Sequence, residues 1–497
     1  MTLESLIIEG INIGKISLYE VLLAHKKMTN TLSKSEWRES LLEIVNTLTS
    51  FYACRKILKK EKPDRIIVYN ALYSVNYVWV KYAKKLKIPV YFVTSGGNLT
   101  DMGDTVLIAK EDAIYYSNKL KTIWKQFKDI QITKKQANYV TNHYLELLKA
   151  KHTLVYSEPK NAKNRDIRSI YGIKNNQKIL TATMSSYDEL FAAQYIGAWR
   201  IPRNLIFSSQ AEWINALIDF VKHKKDLFLL IRVHPREFPN RRNGIKSEHV
   251  KMLEKVLKNL PSNVSVNWPP DKVSIYDLAQ ATNVILNAWS TVGVEMSLLG
   301  IPVVIYSSEL VLYPSDLNYL AKDRKDYFAK IELAIKEGWS YERIKNTYRW
   351  LALQYGRTTI KYRDSKIELG ARIISKSTLA ISNYIYGKFA PKVRTFISKI
   401  LYTIPIMGVG KNQKKDCLEY LTKPIDISRV EKMLEKSSDT LIDTKKVFKL
   451  PSSNKEEDLN IRNEIKRIYK ALYGNMPKSS RIKKNSLQHN LRKLISQ

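Results

Sequence analysis

Short apolar runs alternate with helical patterns twice along this sequence, and that alternation limits what the chain can fold into. In the first series, residues 6–8, 65–69 and 89–93 read as strands, with helical spacing of apolar residues over 16–24, 41–58 and 75–86. A second series begins near residue 178. Its strands fall at 179–184, 227–233, 264–268, 284–287 and 302–306, and helices such as 211–223 and 249–257 lie between them. Strands that alternate with helices build βαβ units around a parallel sheet. The expectation is an α/β chain with two facing Rossmann-like, doubly wound domains, at 1–175 and 176–335. Residues 110–150 read as further helices, and residues 336–375 as helices crossing back to the first domain. Residues 376–497 read as a basic, partly ordered C-terminal extension with a helical piece at 461–472.

An apolar fraction of 44% suffices to fill sizeable cores. The balance of 83 basic against 47 acidic residues gives a formal +36, which attracts nucleic acid, an anionic membrane face or a charged glycan. No zinc finger, RRM aromatic motif or KH loop accompanies the charge, so no specific nucleic acid is expected as partner. Cys54 and Cys417 lie far apart and form neither a CxxC nor a disulfide framework, which fits a reducing cytoplasm. The opening MTLESLIIEGINIGK has no signal-peptide pattern, and no apolar run reaches the ~18–20 residues of a spanning helix. The expectation is a cytoplasmic chain, soluble or peripheral on the inner face of the membrane. Over 389–411, helical spacing puts Phe396, Ile397, Ile400, Leu401 and Ile404 on one face among Lys392, Arg394 and Lys399. Such a stripe suits an anionic membrane surface, or ordinary core.

In a doubly wound sheet, ligands bind beyond the carboxyl ends of the strands. Four strands of the second series end in Ser185-Ser186, His234-Pro235, Pro269-Pro270-Asp271 and Ala288-Trp289-Ser290-Thr291. Ser290 and Thr291 open a helix at 291–299, where a hydroxyl either caps the helix or joins its free N–H groups in binding phosphate. Ser185 and Ser186 stand in the same relation to the helix from Tyr187. His234 follows the run LFLLIRV, and Pro235 fixes the backbone behind it. An imidazole so held can donate to a phosphate oxygen, or it can be a satisfied rim residue. Arg232 and Arg236 add charge, and Arg232 alternates onto the face of His234. Glu295, a turn into the helix, is placed to accept from a ribose, or to sit in solvent. Glu9 and Asp101 are the nearest candidates for a base in the first domain. No DxD pair or His/Asp/Glu cluster asks for a metal, and no cofactor is expected.

The runs IRVHPRE and WSTVGVEMSLLGIPVVIY, with the opening segment EGINIGKISLYE, resemble the capsule polysaccharide biosynthesis glycosyltransferases. These are similar to other GT-B enzymes, bacterial sialyl-, polysialyl- and Kdo-transferases among them. The resemblance implies that His234, Pro235, Ser290 and Thr291 bind the nucleotide phosphate of a CMP-sugar. It also implies an inverting, metal-independent transfer from a nucleotide-sugar to a surface or capsular polysaccharide, or to a lipid-linked glycan. Thr94-Ser95-Gly96-Gly97 departs from the acidic pair that several relatives carry, which leaves the base to Glu9 or Asp101. Alternatives are a polyol-phosphate transferase of the teichoic-acid type, a nucleotide-sugar 2-epimerase and a basic nucleic-acid-binding protein.

Overall fold

A computed structural model describes residues 3–361, apart from 112, 153, 162–164, 203–204, 241 and 358, together with 453–474 and 486–496. Residues 1–360 and 439–497 group as one unit, and the stripe at 389–411 lies outside the described residues.

The chain opens on β1 (Ile7–Ile8) and β2 (Ile11–Asn12), then α1 (Ile13–Ser17), α2 (Tyr19–Ala24) and the long α3 (Lys34–Glu61). After these come β3 (Ile66–Tyr69), α4 (Ser74–Lys85), β4 (Val90–Ser95), β5 (Thr105–Lys110), α5 (Ala113–Phe127) and α6 (Lys134–Lys149). The run at 6–8 is not the first strand of a parallel sheet. Ile8 pairs antiparallel with Ile11 across the turn Glu9-Gly10, whose φ values are 50° and 78°. Two successive left-handed residues make the tight turn whose twist matches a hairpin, so this run closes on its neighbour instead of reaching the sheet. The first sheet has the order β12-β5-β4-β3, where β12 is the late strand Ile360–Lys361. β3 and β4 are parallel, whereas β5 runs antiparallel to β4 within a stretch that reads as loop and helix. Ile44, Phe51, Cys54 and Leu58 of α3 are buried, as are Tyr77, Val78 and Tyr82 of α4.

The second series runs α7 (Ile167–Ile170), β6 (Lys178–Thr183), α8 (Tyr187–Tyr195), α9 (Gln210–Val221), β7 (Leu227–Arg232) and α10 (Glu248–Val256). It continues with β8 (Val264–Asn267), α11 (Ile275–Ala279), β9 (Val284–Asn287), α12 (Val292–Ser297), β10 (Val303–Ile305), β11 (Tyr319–Leu320) and α13 (Arg324–Glu337). Its six strands lie in the order β11-β10-β9-β6-β7-β8 with every pair parallel, so the order reverses between β6 and β9. The inner strands feed two cores by their period of two. In β7, Leu229 and Ile231 enter one core while Phe228 and Leu230 enter the other. Burial on both faces is what lets near-continuous apolar runs build a parallel sheet.

α14 (Tyr341–Leu351) returns to the first block, where Tyr348 bonds Thr141 of α6 at 2.8 Å and Trp350 meets Trp124 of α5 edge-on. One π-helical turn at Ala352–Arg357 leads into β12 (Ile360–Lys361). The C-terminal extension carries two helices, α15 (Asn454–Tyr473), which contains the expected helical piece, and α16 (Leu487–Ser496). α15 packs on α6, and Ile461, Ile465, Ile468 and Leu472 are all buried. Their spacing of three and four makes one apolar stripe, which the lysines and arginines on the other sides of the helix mask in the composition. Buried Glu457 takes Arg349 Nη2 at 2.7 Å and the Ile132 amide at 2.9 Å. The described chain is thus α/β, with two sheet-centred blocks and helices at its C-terminal end. Among the described residues, no helix is long and apolar enough to cross a membrane.

Candidate functional site

A cavity opens at the carboxyl edge of the second sheet, where the strand order reverses. Thr183 and Met184 line it from the end of β6, Arg232, His234 and Pro235 from the end of β7, and Ser290, Thr291, Val292 and Glu295 from the turn after β9 and from α12. Such a switch point is where doubly wound sheets bind ligands, because loops on either side diverge and leave a crevice. The sequence-predicted residues Arg232, His234, Pro235, Ser290, Thr291 and Glu295 therefore meet in one place.

Arg232 is the last residue of β7 and is 6% exposed. Its Nη1 donates to Asn267 Oδ1 and to the Val273 carbonyl at 2.8 Å, and its Nη2 to Ser157 Oγ at 3.4 Å. All three partners are neutral. Burial lowers its pKa to about 10, so the guanidinium stays charged at neutral pH. Glu158, Asp277 and Glu295 act on its charge only through space, and an anion entering the cavity would give it a charged hydrogen-bond partner.

His234 sits two residues on, and its Nδ1 accepts from the Arg236 amide at 3.2 Å. Burial lowers its pKa to about 4, so the ring is neutral at physiological pH. A neutral imidazole that accepts at Nδ1 carries its proton on Nε2, which makes Nε2–H the donor left for a ligand. The Tyr156 ring lies edge-on to the imidazole, 5.9 Å between centroids. Tyr156 Oη in turn accepts from Arg236 at 2.9 Å and Arg242 at 2.8 Å. Arg236 is also held by Asp188, at 2.9 Å and 2.7 Å, and donates to the Leu23 carbonyl of α2 at 3.3 Å. It fixes the loop and joins the two blocks behind the site.

Ser290 Oγ accepts from the Val292 amide at 3.3 Å, the capping role, and its own hydrogen remains to donate. Thr291 Oγ1 donates to Glu295 at 2.9 Å, and the Tyr276 hydroxyl to the other carboxylate oxygen at 2.8 Å. Burial raises the pKa of Glu295 in spite of those two bonds.

The other candidates lie elsewhere. Ser185 and Ser186 are buried behind the rim. The Ser185 amide donates to Gln210, its hydroxyl accepts from the Trp289 amide at 3.2 Å, and Ser186 donates to Glu189. β6 ends at Thr183, so Thr183 and Met184 take the lining positions, while Ser185 clips the β6 and β9 loops together and Ser186 bonds into the first turn of α8. Glu9 occupies the hairpin turn and not a strand end. Arg55 at 2.6 Å and Lys85 at 3.3 Å hold it, and it lines a separate hollow with Lys15 and Lys81. Desolvation works against its charge, but the Lys85 bond and the Arg55 charge outweigh it and lower its pKa. Asp101 accepts from the Tyr139 hydroxyl at 2.6 Å. It shares its loop with Leu99, a cavity-lining residue whose amide is fixed by His143 Nδ1 at 3.0 Å.

Sequence reading missed Tyr156 and Ser157, on the segment between the two blocks, and Tyr276 of α11, all of which line the cavity. No motif marks that connecting segment, so only the folded chain reveals it. Among the described residues, no group of three or more His, Cys, Asp or Glu is placed to hold a metal ion.

No family model and no curated protein matches the chain. Solved structures do resemble it. A UDP-N-acetylglucosamine 2-epimerase, itself putative by name, from Listeria monocytogenes is 12% identical over 70% of this chain and 90% of its own, at a TM-score of 0.29. The KpsC β-Kdo 2,4 transferase of Thermosulfurimonas dismutans is 10% identical over 58% and 79%, at 0.34. The UDP-GlcNAc 2-epimerase of Neisseria meningitidis bound to UDP-GlcNAc is 14% identical over 74% and 96%, at 0.30. TM-scores this low leave the assignment of activity to the chemistry of the site itself.

Proposed function

We propose that this chain is a nucleotide-sugar-dependent glycosyltransferase, with the donor phosphate seated against Arg232 and His234. The supporting observation is the convergence of a buried guanidinium, whose hydrogen-bond partners are all neutral, and an imidazole N–H on one cavity at the strand switch point. Breaking the bond between sugar and nucleotide leaves negative charge on the departing phosphate. Preorganised donors aimed at such charge stabilise the transition state more than the ground state. Arg232 supplies the countercharge, and His234 Nε2–H and the Ser290 hydroxyl donate to phosphate oxygens. Glu295, poised by Tyr276 and Thr291, takes the ribose hydroxyls. Asp101, on the loop that brings Leu99 to the cavity, is the proposed base for the acceptor hydroxyl, in preference to Glu9 with its ion pairs. The motif resemblance favours a CMP-sugar donor and a growing surface polysaccharide or lipid-linked glycan as acceptor.

The test is nucleotide release from CMP-, UDP- and GDP-sugars in the presence of glycan acceptors. His234→Ala should lower turnover by about 10²–10³-fold, the usual effect of losing one such donor, with the fold retained and a melting temperature lower by no more than the lost cap on the Arg236 amide accounts for. Acceptor-independent interconversion of a UDP-sugar would move the chain to the epimerases. Loss of activity only through unfolding would remove His234 from the mechanism.

A further inference from the structure

α3 is apolar on two sides. Its inward side is ordinary core, with Ile44, Phe51, Cys54 and Leu58 at 8% exposure or less. Its outward side carries Leu41, Leu42, Val45 and Tyr52, which are 45%, 66%, 59% and 52% exposed. Four large apolar side chains left in water on one helix face form a patch that calls for a partner.

The charges on the helix are sorted in the same way. Successive residues turn by roughly 100°. On that projection, Lys34 and Arg38 share the outward face before the apolar residues, and Lys56 and Lys60 share it after them. All four cations are exposed. The acids of the helix, Glu36, Glu39, Glu43 and Glu61, project about 120° or more away from Val45. Glu36 and Glu39 turn to His25 and Lys27. The outward face therefore has an apolar centre and cations at both ends, with Lys60 paired to Glu61 at 3.0 Å, in a chain of formal charge +36.

We propose that this face of α3 docks on an anionic lipid bilayer, with the helix lying in the plane of the surface. The charge sorting selects that occupant. An apolar stripe between cations matches the boundary of acyl chains and anionic headgroups. A second copy of this face would instead bring cations against cations. Arg38 and Lys56 stand about 27 Å apart along the axis, so they reach separate headgroups while the residues between them enter the acyl boundary.

The test is co-sedimentation of the full-length chain with phosphatidylcholine vesicles, with and without phosphatidylglycerol. Wild type should pellet with the anionic vesicles only, and leave them at about 1 M salt, where screening acts within about 3 Å. Leu42→Glu combined with Val45→Glu should weaken binding at least about tenfold, since each buried side chain contributes more than that factor. The melting temperature should stay the same, because both residues are exposed. Arg38→Gln combined with Lys56→Gln leaves the apolar residues in place and should also weaken binding, which guards against a folding defect in the first pair. Wild-type binding that both variants retain would overturn the proposal. So would a wild-type dimer that the glutamates dissociate while vesicle binding persists, or a wild type that ignores anionic vesicles.

Discussion

The two sheet-centred blocks are assembled in different ways. The second is contiguous: its six parallel strands and their helices occur in sequence from β6 to α13, and both faces of its sheet are buried. The first is a patchwork. Its sheet has a parallel pair, an antiparallel strand and β12 from far along the chain, and its helical layer is completed by α14, α15 and α16. A block of contiguous βα units carries most of its stabilising contacts within its own sequence, although the core on one face of its sheet continues into the first block. A block closed by remote segments depends on them, and a change at one end of the chain is felt at the other.

The largest expected effect follows directly. A chain ending at residue 450 loses Ile461, Ile465, Ile468, Tyr469 and Leu472, all buried against the first block. At about 1.5–3 kcal/mol for each side chain, the loss is on the order of 10 kcal/mol, comparable with the whole stability of a typical domain. Hydrogen exchange should show the amides of β3–β5 unprotected and those of β6, β7 and β9 still slow. Equal protection in both blocks would break the comparison. Glu457→Ala is the smaller version of the same cut. It strands Arg349 and leaves the Ile132 amide without its acceptor, at a cost of about 3–5 kcal/mol read from urea midpoints.

Acid reads both blocks at once. Burial lowers His143, in the first, to about 3 and His234, in the second, to about 4. The unfolded chain, with ordinary imidazoles near 6.5, binds protons that the folded chain refuses. Stability from these residues is therefore complete above pH 6.5 and declines as pH falls toward 4, by at most about 3 kcal/mol for each. His143→Gln and His234→Gln should each flatten the fall in urea midpoint between pH 7 and 4.5. Unaltered slopes in both would contradict the burial of these rings. Ser290→Ala gives the smallest effect, about 0.5–2 kcal/mol from the lost cap, visible as a lower melting temperature.

The contrast also explains what was legible in the sequence. The strands from β6 to β10 are each an apolar run closed by polar or turn residues, and the structure finds them within a residue or two of where periodicity puts them. Arg232, His234, Ser290 and Glu295 were legible because strand ends in such a sheet converge. Glu9 misled because Glu9-Gly10 looks like a strand end and is a hairpin turn. β5 was hidden because TVLIAK has no turn signal strong enough to separate it from the helices that follow. The role of α15 was hidden because a stripe of four buried residues says nothing about which distant helix it meets. Tyr156 could be found only once the connecting segment was seen to pass over His234.

In the proposed donor site, buried Arg232 is the group that meets the phosphate. Arg232→Met keeps the volume of the side chain and removes the charge. Calorimetric titration with CMP, CDP, UDP and GDP, beside a melting curve, measures both consequences together. The expected result is that wild type binds at least one of these nucleotides, and that the variant binds it at least about tenfold more weakly while melting within a few degrees of wild type, the cost of any buried cation to the empty protein being relieved. A variant that binds the same nucleotide as tightly as wild type would contradict the assignment of this cavity as the donor site.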